Sequence, residues 1–215
     1  AAGSRQVQAA MDEAGSGERL RVLAEELRGH VAQAMRCPHG NHVLQKLISL
    51  GEPEDLEFIL EEVLSQHGLP SKVARHRYGC RILQGLVLRL PAGLIPRLLA
   101  AILPEVATLA CHPFGSFVVR RFLERQEEEP RRVVAAALAG SIGRCGRTLS
   151  GCAVLALALV NCADRERSAI ARAAAADPEV VEDMAASPSR AGVAASIKNE
   201  LARDWGRARG TIRSL

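Results

Sequence analysis

Gly40-Asn41-His42-Val43-Leu44-Gln45 is the stretch that decides the fold, because its pattern returns along the chain. It recurs as Gly79-Cys80-Arg81-Ile82-Leu83-Gln84 and as Gly115-Ser116-Phe117-Val118-Val119-Arg120, with fainter copies that begin at Gly3 and Gly151. The steps between glycines 3, 40, 79, 115 and 151 are 37, 39, 36 and 36 residues. A nearly constant period of this size predicts stacked helical repeats rather than one compact core.

The composition agrees with such an array. Of the 215 residues, 48% are hydrophobic and only 3% aromatic, as expected where neighbouring repeats bury aliphatic ridges. The net charge is +4, and the basic residues are 25 Arg and 3 Lys. The planar fork of arginine suits phosphates and base edges, although a GC-rich genome would produce the same bias without any function.

Cysteine usage bears on the cellular compartment. The six cysteines, at 37, 80, 111, 145, 152 and 162, form no CxxC pair, and nothing near the N-terminus resembles a signal peptide. We therefore expect reduced thiols in a cytosolic or nuclear protein. The longest apolar run, Ala153 to Val160, is too short to span a bilayer. Because the first copy begins at residue 3 without an initiator Met, we expect the chain to be a fragment or a processed piece.

Each full copy is predicted to contain three helical segments. Before Gly79, a segment from Pro53 carries apolar residues at helical spacing, at positions 56, 59, 60, 63 and 64. Gly68 and Pro70 interrupt it, a short helix follows over 73–74, and a third segment begins at Cys80 and ends before the next proline. No alternation of period two indicates strands.

A sixth copy is expected with its mark at Arg190, inside the frame Met184-Ala-Ala-Ser-Pro188 that resembles Leu109-Ala-Cys-His-Pro113 before Gly115. We call the residues at 3, 40, 79, 115, 151 and 190 the register marks. We predict an all-α, right-handed α-solenoid of about six three-helix repeats over residues 1–200. The first repeat is truncated and the last two are degenerate, and residues 201–215 form a C-terminal cap or basic tail.

Within the phrase, residues one and five positions after the mark share a helical face, and the residue two positions after it is turned by about one hundred degrees. We call these positions plus-one, plus-five and plus-two. The plus-three and plus-four residues are expected to point into the stack. The plus-one side chains are expected to project from a common inner wall at nucleotide spacing, so that the plus-one and plus-five groups meet a base edge.

The plus-one and plus-five pairs are Ser4/Gln8, Asn41/Gln45, Cys80/Gln84 and Ser116/Arg120, and the plus-two residues are Arg5, His42, Arg81 and Phe117. A planar ring or guanidinium thus occupies all four plus-two positions. Such groups stack on base faces, which favours a nucleic-acid partner over chance placement on a surface helix.

These phrases resemble the Pumilio (PUF) family, whose helical repeats each read one RNA base with two or three side chains. The copies at 3, 40 and 79 look like the first three repeats of that family in order. The resemblance covers nearly the whole chain, strongly from residue 3 to about 125 and weakly after that. It implies a Pumilio-type solenoid that binds single-stranded RNA on its concave face, without a cofactor or metal.

The resemblance also implies a base for each pair: adenine for Ser4/Gln8 and for Cys80/Gln84, and uracil for Asn41/Gln45. An amide holds one donor and one acceptor group, so it can match either edge. Arg120 departs from the Gln expected in the family's fourth repeat, and a donor-only guanidinium suits cytosine or else a phosphate. Because the family binds RNA antiparallel to the protein, the implied core is 5′-C-A-U-A-3′.

The copies at 151 and 190 offer no useful donor or planar group, since their plus-one, plus-two and plus-five residues are Cys152/Ala153/Ala156 and Ala191/Gly192/Ala195. No Ser and Glu pair for guanine occurs at any mark. Four bases recur about once in a few hundred positions, so either further repeats lie outside this chain, or the protein binds with broad specificity, or a partner supplies the rest.

Several other polar residues admit plainer explanations. Cys37, His39 and His42 have loose metal spacing without an evident fourth ligand, so no metal site is expected. His76 and His112, in the turn before a glycine, are expected to cap or pack. A reactive thiol at Cys80 or Cys152 would need a basic neighbour, and a small base-facing group is the simpler interpretation of Cys80.

Lys46 and Arg121, at plus-six, are possible phosphate contacts, with a solvated helix face as an equal alternative. Trp205 is expected to cover the last apolar face, because a terminal repeat has no neighbour. We find no Ser/His/Asp series, carboxylate dyad or phosphate-binding glycine loop, so an enzyme is not expected.

The predicted function is sequence-selective binding of mRNA, as in 3′-UTR-directed post-transcriptional regulation or translation repression, by a cytoplasmic monomer. Protein effectors are possible on the convex face or the C-terminal repeats, and no membrane partner is expected. One alternative is a sequence-tolerant RNA binder in ribosomal RNA processing, in the nucleus or nucleolus. The other is a protein-binding α-solenoid scaffold.

Overall fold

The computed structural model of the chain describes residues 2–66 and 68–213, and the side chains of residues 3–66 and 68–206. These residues form helices without any strand. The helices are α1 (Ala2–Ala14), α2 (Glu18–Glu25), α3 (Val31–Ala34), α4 (Gly40–Leu50), α5 (Glu57–Leu64), α6 (Leu69–Ala74), α7 (Gly79–Arg89), α8 (Ile95–Ile102), α9 (Val106–Cys111), α10 (Gly115–Glu124), α11 (Glu128–Ala139), α12 (Ile142–Gly146), α13 (Leu149–Asn161), α14 (Asp164–Ala175), α15 (Pro178–Ala186) and α16 (Ala191–Arg213). Within the described ranges no single helix is long and apolar enough to cross a membrane, whereas the bent pair Ile95–Cys111 and Gly115–Glu124 meets that test by length and composition only.

The helices recur in threes, and the third helix of each set starts at or beside a register mark. Gly40, Gly79 and Gly115 are the first residues of α4, α7 and α10. Helix α13 begins two residues before Gly151, and α16 begins directly after Arg190. The copy at residue 3 lies in α1, with no first or second helix before it in the described chain. The predicted three-helix repeat and the truncated first copy are confirmed.

Helix boundaries predicted from Pro53, Gly68 and Pro91 are also confirmed, whereas Pro70, which was expected to interrupt the chain, lies in the first turn of α6, because a proline at the start of a helix loses no hydrogen bond. Pro53 opens a 3₁₀ turn, Pro53–Leu56, that leads into α5. Gly68 separates α5 from α6 with a positive φ of 73°, a conformation that glycine adopts without steric cost. Helix α7 ends at Arg89, two residues before Pro91, which cannot continue a helix.

A close approach between helices explains the glycine of the repeated phrase. A Cβ atom built on Gly79 would lie 2.7 Å from the carbonyl oxygen of Val73, and one built on Gly151 would lie 2.3 Å from that of Cys145. In both cases the neighbour is the residue six positions earlier, in the second helix of the same repeat. The second helix therefore presses on the first turn of the third helix and leaves no room for a side chain.

The chain divides into two compact units, Ala1–Glu105 and Val106–Leu215. In the first unit α1 packs on α4 and α4 packs on α7; in the second unit α10 packs on α13 and α13 packs on α16. Helix α16 crosses residue 201 without a break, so the predicted cap or tail over 201–215 begins inside a helix. The side chains of residues 207–215 lie outside the described part of the chain.

The plus-three and plus-four residues form much of the core between stacked third helices. The buried pairs are Val43/Leu44, Ile82/Leu83, Val118/Val119 and Val154/Leu155. The expectation is wrong for the first copy, where Gln6 is exposed and Val7 is 36% exposed. In the described chain α1 packs on α4 and α2, and the exposure of Gln6 and Val7 shows that neither helix covers these two side chains.

The C-terminal end of the second unit differs from expectation at one residue. Trp205 is 68% exposed, so it does not cover an apolar face. Together with Ala175 and Leu201 it lines a groove. Arg172 and Asp204, which form an ion pair at 3.7 Å, line the same groove.

Candidate RNA interface

The first turn of each reader helix (α4, α7 and α10, which carry the three strong copies) is fixed by local hydrogen bonds. In α10, Nδ1 of His112 accepts hydrogen bonds from the backbone N–H groups of Phe114 (3.1 Å) and Gly115 (3.2 Å). His76 does the same for Tyr78 (3.3 Å) and Gly79 (3.4 Å) ahead of α7. The predicted capping role of both histidines is confirmed, because helix starts leave N–H groups without an intrahelical partner.

All four plus-two side chains reach solvent. Arg5, His42 and Arg81 are exposed, and Phe117 is 45% exposed. Exposure of a large ring or guanidinium leaves its flat face available to a base, so the geometry is compatible with stacking. The stacking role itself stays a prediction.

The plus-five side chains, Gln8, Gln45, Gln84 and Arg120, are half-buried. The amide nitrogen of Gln8 donates to the carbonyl of Ser4 (3.0 Å), and that of Gln84 donates to the carbonyl of Cys80 (3.1 Å). Each glutamine is therefore held along its own helix one turn back. Since the amide nitrogen carries a second hydrogen, each side chain keeps one N–H donor and its oxygen acceptor for a ligand.

The plus-one side chains do not project from the surface as expected. Asn41, Cys80 and Ser116 are only 1%, 3% and 5% exposed, and Ser4 is half-buried. The cause is the turn before each helix, whose carbonyl groups they contact. The amide of Asn41 donates to Cys37 O (2.8 Å), and the hydroxyl of Ser116 donates to Pro113 O (3.4 Å).

Asn41 nevertheless connects to the accessible surface through its neighbour. Its Oδ1 atom accepts a hydrogen bond from Nε2 of Gln45 at 2.7 Å. In this structure Asn41 is placed to orient Gln45 rather than to touch a base. The assignment of all eight plus-one and plus-five residues to base edges stays a prediction.

Arg120 is the most unusual of the plus-five residues. Its guanidinium carbon lies 5.8 Å from the ring centroid of Phe117, within the range of a cation–π contact. Its Nε atom is buried and has no hydrogen-bond partner within the described part of the chain. A buried donor without a partner is costly, and the Nε atoms of Arg131 and Arg167 are in the same situation, so this feature alone does not single out Arg120 as a ligand contact.

The two possible phosphate contacts already have acidic partners. Lys46 forms an ion pair with Asp12 at 2.6 Å, and Arg121 forms one with Glu124 at 2.6 Å. Both pairs are partly exposed, so each contributes little to stability and can exchange for a phosphate. Their role in phosphate binding stays a prediction.

In the degenerate copies, Cys152 and Arg190 are engaged in contacts within the second unit. Cys152 is buried at 2% exposure, and its thiol faces the carbonyl of Gly146 at 3.2 Å. Arg190, at the sixth mark, also donates to Gly146 O (2.9 Å) and pairs with Asp183 (2.8 Å). The Arg190 guanidinium, which is held by these two contacts within the second unit, has a structural role.

The thiols are poorly suited to chemistry. Burial raises the pKa of Cys80 and of Cys152, despite Arg81 beside the first and Arg190 beside the second. Backbone N–H groups of Gly40 and His39 lower the pKa of Cys37, the half-exposed thiol before α4. Among the described residues no group of three or more His, Cys, Asp or Glu is arranged to hold a metal ion.

A groove of about 350 Å³ lies between α4 and α7, next to the predicted site. It is lined by Gln45, Ile48, Arg81, Gly85, Leu88 and Arg89. Leu88 is 65% exposed, and Arg89 is anchored by a bond from its guanidinium to Gly51 O at 2.8 Å. Leu88 and Arg89 could not be predicted from the repeated phrase, because they lie nine and ten positions after the mark and outside it.

Stacked three-helix repeats with marks at the start of each third helix define an α-helical repeat protein. A model of the "Pumilio-family RNA binding repeat" matches residues 30–64, 72–91 and 105–139, which contain the three strong copies. The chain belongs to the Pumilio (PUF) family. The copies at 3, 151 and 190 lie outside the matched segments, as expected for one truncated and two degenerate repeats.

Relatives and solved structures agree with this assignment. The chain is 30% identical over 122 residues to a Pumilio domain-containing protein of Schizosaccharomyces pombe, which covers 57% of this chain and 18% of that protein. It is 28% identical over 112 residues to Pumilio homology domain family member 4 of Saccharomyces cerevisiae, over 52% and 12% of the two chains. The chain thus spans less than a fifth of the length of these relatives.

The fold is that of solved PUF domains. The structure of PUF-8 in complex with PBE-RNA superposes with a TM-score of 0.80 at 22% identity, over 92% of this chain and 58% of that one. The Puf4 RNA-binding domain bound to the HO endonuclease RNA 3′ UTR recognition sequence gives 0.81 at 20% identity, over 94% and 61%. The predicted α-solenoid of Pumilio-type repeats is confirmed.

Proposed function

We propose that this chain binds single-stranded RNA, one base for each of the copies at 3, 40, 79 and 115, through its plus-two and plus-five side chains. The observation that carries the proposal is a repeated exposure pattern. In the copies at 3, 40, 79 and 115 a planar plus-two group is exposed and a hydrogen-bonding plus-five group is half-exposed. The PUF-8 and Puf4 neighbours, which are bound to RNA, support the same ligand class.

The proposed core is 5′-C-A-U-A-3′, with cytosine at Arg120, adenine at Gln84, uracil at Gln45 and adenine at Gln8. Arg120 supports cytosine because a guanidinium supplies two parallel donors and the cytosine pairing edge supplies two acceptors. Asn41 acts on the uracil site by holding the Gln45 amide, as their 2.7 Å bond supports.

The proposed biological role is control of mRNA through 3′-UTR elements, for instance translation repression, by a cytoplasmic monomer. Effector proteins would bind the convex face or the degenerate C-terminal copies. Four bases cannot select one message, so further repeats or a partner must complete the site. A nuclear or nucleolar location is the alternative.

The test compares three RNAs at one salt concentration: one containing CAUA, one containing CAGA and a scrambled sequence. We expect the U-to-G change to weaken binding by about 1–3 kcal/mol, as for other base-edge contacts. Gln45→Ala should abolish most of this discrimination, whereas Val160→Ala, on the exposed face of α13, serves as a control that leaves binding unchanged. The combination of Asn41→Ser with Gln45→Glu should shift preference at that base toward guanine.

The burial of the plus-one side chains favours a second candidate, a sequence-tolerant RNA binder of the kind that acts in ribosomal RNA processing. With Asn41, Cys80 and Ser116 buried, fewer groups remain to distinguish one base from another. Equal affinity for all three RNAs would select this candidate. Absence of RNA binding would leave the protein-binding scaffold.

A further inference from the structure

The residue immediately before each register mark has a pattern of its own. In the three strong copies this minus-one residue is a ring: His39, Tyr78 and Phe114. In the degenerate copies it is a serine, Ser150 and Ser189. Rings at minus-one and planar groups at plus-two thus occur together in the three strong copies and are both missing from the two degenerate copies, whereas the truncated first copy has Arg5 at plus-two and Ala2 at minus-one.

The backbone places the two positions on one edge of the helix. The carbonyl of Phe114 accepts a bond from the N–H of Phe117 at 3.2 Å, and Tyr78 O accepts from Arg81 N–H at 3.1 Å. His39 O accepts from His42 N–H at 3.3 Å. A bond between residues three apart is that of a 3₁₀ turn, in which the side chains of the first and fourth residues are eclipsed.

The degenerate copy at 151 starts its third helix differently. Helix α13 begins at Leu149, so Ser150 already lies inside an α-helix. Its N-cap is Thr148, whose hydroxyl accepts from Gly151 N–H at 3.0 Å, in place of the histidine used before α7 and α10. The histidine cap and the ring at minus-one disappear in the same copy.

In α10 the minus-one ring is exposed to solvent, whereas the plus-one side chain, which was expected to face the ligand, is buried. Phe114 is 39% exposed and Phe117 is 45% exposed, whereas Ser116 between them is 5% exposed. The accessible stripe of α10 therefore runs through Phe114, Phe117 and Arg120. Two exposed phenyl rings one turn apart, continued by a guanidinium, form a surface suited to flat ligands.

We propose that the minus-one ring is a second stacking group of each strong copy, and that its ligand is the face of a nucleobase in the bound single strand. This inference rests on the proposed function. His112 holds Phe114 in place, since its Nδ1 atom binds the Phe114 N–H and the two rings lie 5.9 Å apart. A ring fixed before binding loses little freedom when a base stacks on it.

The three rings differ in how accessible they are. Tyr78 is half-buried, and the Arg77 guanidinium covers its ring at 4.5 Å. His39 is exposed and smaller. Phe114 is consequently the best residue for a test, with His39 as the second. Because every base has a flat face, the contribution of this ring is expected to be the same for every base sequence.

The experiment measures affinity for the CAUA, CAGA and scrambled RNAs with Phe114→Leu, Phe114→Tyr, Phe117→Ala and Val160→Ala. Leucine keeps most of the apolar volume and removes the flat face. We expect Phe114→Leu to weaken binding of all three RNAs by about tenfold, within the range for loss of one stacked aromatic. Phe114→Tyr and Val160→Ala should bind like the parent chain. If Phe114→Leu lowers the thermal midpoint, His39→Leu replaces it.

Each outcome decides the proposal. If Phe114→Leu binds normally while Phe117→Ala binds weakly, the second stacking group is wrong and RNA binding stands. If Phe114→Tyr or Val160→Ala loses as much affinity as Phe114→Leu, the effect does not come from the flat ring and the proposal is wrong. If the parent chain binds no RNA, both this inference and the proposed function are refuted.

Discussion

Of the glycine-to-alanine changes at the register marks, Gly151→Ala is expected to destabilise the protein most. A Cβ atom there would lie 2.3 Å from the carbonyl oxygen of Cys145 and 2.7 Å from its Cα. At Gly115 the shortest distance is 2.8 Å, to a carbonyl oxygen, and at Gly40 it is 3.0 Å, to a Cα. Backbone atoms in a packed second helix cannot shift as the end of a side chain can.

Two opposing terms set the size of the effect. Alanine is favoured over glycine by about 0.5–1 kcal/mol in a helix interior, and this is an upper bound at the marks, which lie in the first turn of their helices. Overpacking costs about 1–3 kcal/mol, and the cost rises as the contact shortens. We therefore expect Gly151→Ala to lower the free energy of unfolding by about 2 kcal/mol and Gly40→Ala to be nearly neutral. Gly3→Ala should stabilise slightly, because no atom lies within 4 Å of its Cβ position.

Urea unfolding followed by circular dichroism measures this series, with Gly3→Ala as the matched control. The expected order of midpoints is Gly3→Ala highest, then Gly40→Ala, then Gly115→Ala, then Gly151→Ala lowest. Equal urea midpoints for Gly151→Ala and Gly3→Ala would contradict this expectation. An unchanged m-value is needed for the comparison, because repeat arrays can unfold in parts.

Three smaller effects follow from single contacts. Thr148→Ala should cost about 1 kcal/mol in urea unfolding, because it removes the N-cap of α13, and Thr148→Ser should restore it. A hydrogen bond from the Arg75 guanidinium lowers the pKa of Glu105 in the folded chain. The stabilisation from this ion pair is therefore fully present above the unfolded pKa of Glu105 and is lost as the pH falls through its folded pKa. The difference in unfolding midpoint between the parent and Glu105→Gln should shrink from pH 7 to pH 3. In labelling with a thiol reagent at pH 7.5, Cys37 should react first and the buried Cys145 and Cys162 last, because burial raises the pKa of both thiols; equal rates for Cys37 and these two would contradict this.

The fold could be predicted from the sequence because its signals are local and repeated. Pro53, Gly68 and Pro91 each end or begin a helix for a reason that belongs to the residue itself. The period adds what a single helix prediction lacks, namely which helices are equivalent. The glycine at each mark recurs with the period because the second helix of the same repeat leaves no room for a side chain there.

The accessible surface could not be predicted in the same way. Helical spacing shows that Asn41 and Gln45 share a face, but it does not show that the turn before α4 covers the first of them. That cover depends on where the second helix ends and on which carbonyl groups it leaves. The exposure of Phe114, just outside the phrase, is equally a property of the turn.

The same packing gives a physical reason for the small residues at plus-one. The second helix lies close against the mark, and the plus-one side chain must fit beside that helix. Small residues such as Ser116 and Cys80 therefore fit this position whether or not RNA binds. The identity of the plus-one residue is therefore weak evidence for a particular base. Plus-five side chains such as Gln84 and Arg120 are half-exposed and under no such constraint. Base preference in this chain should consequently follow plus-five, with Asn41 as the exception because it holds Gln45 directly.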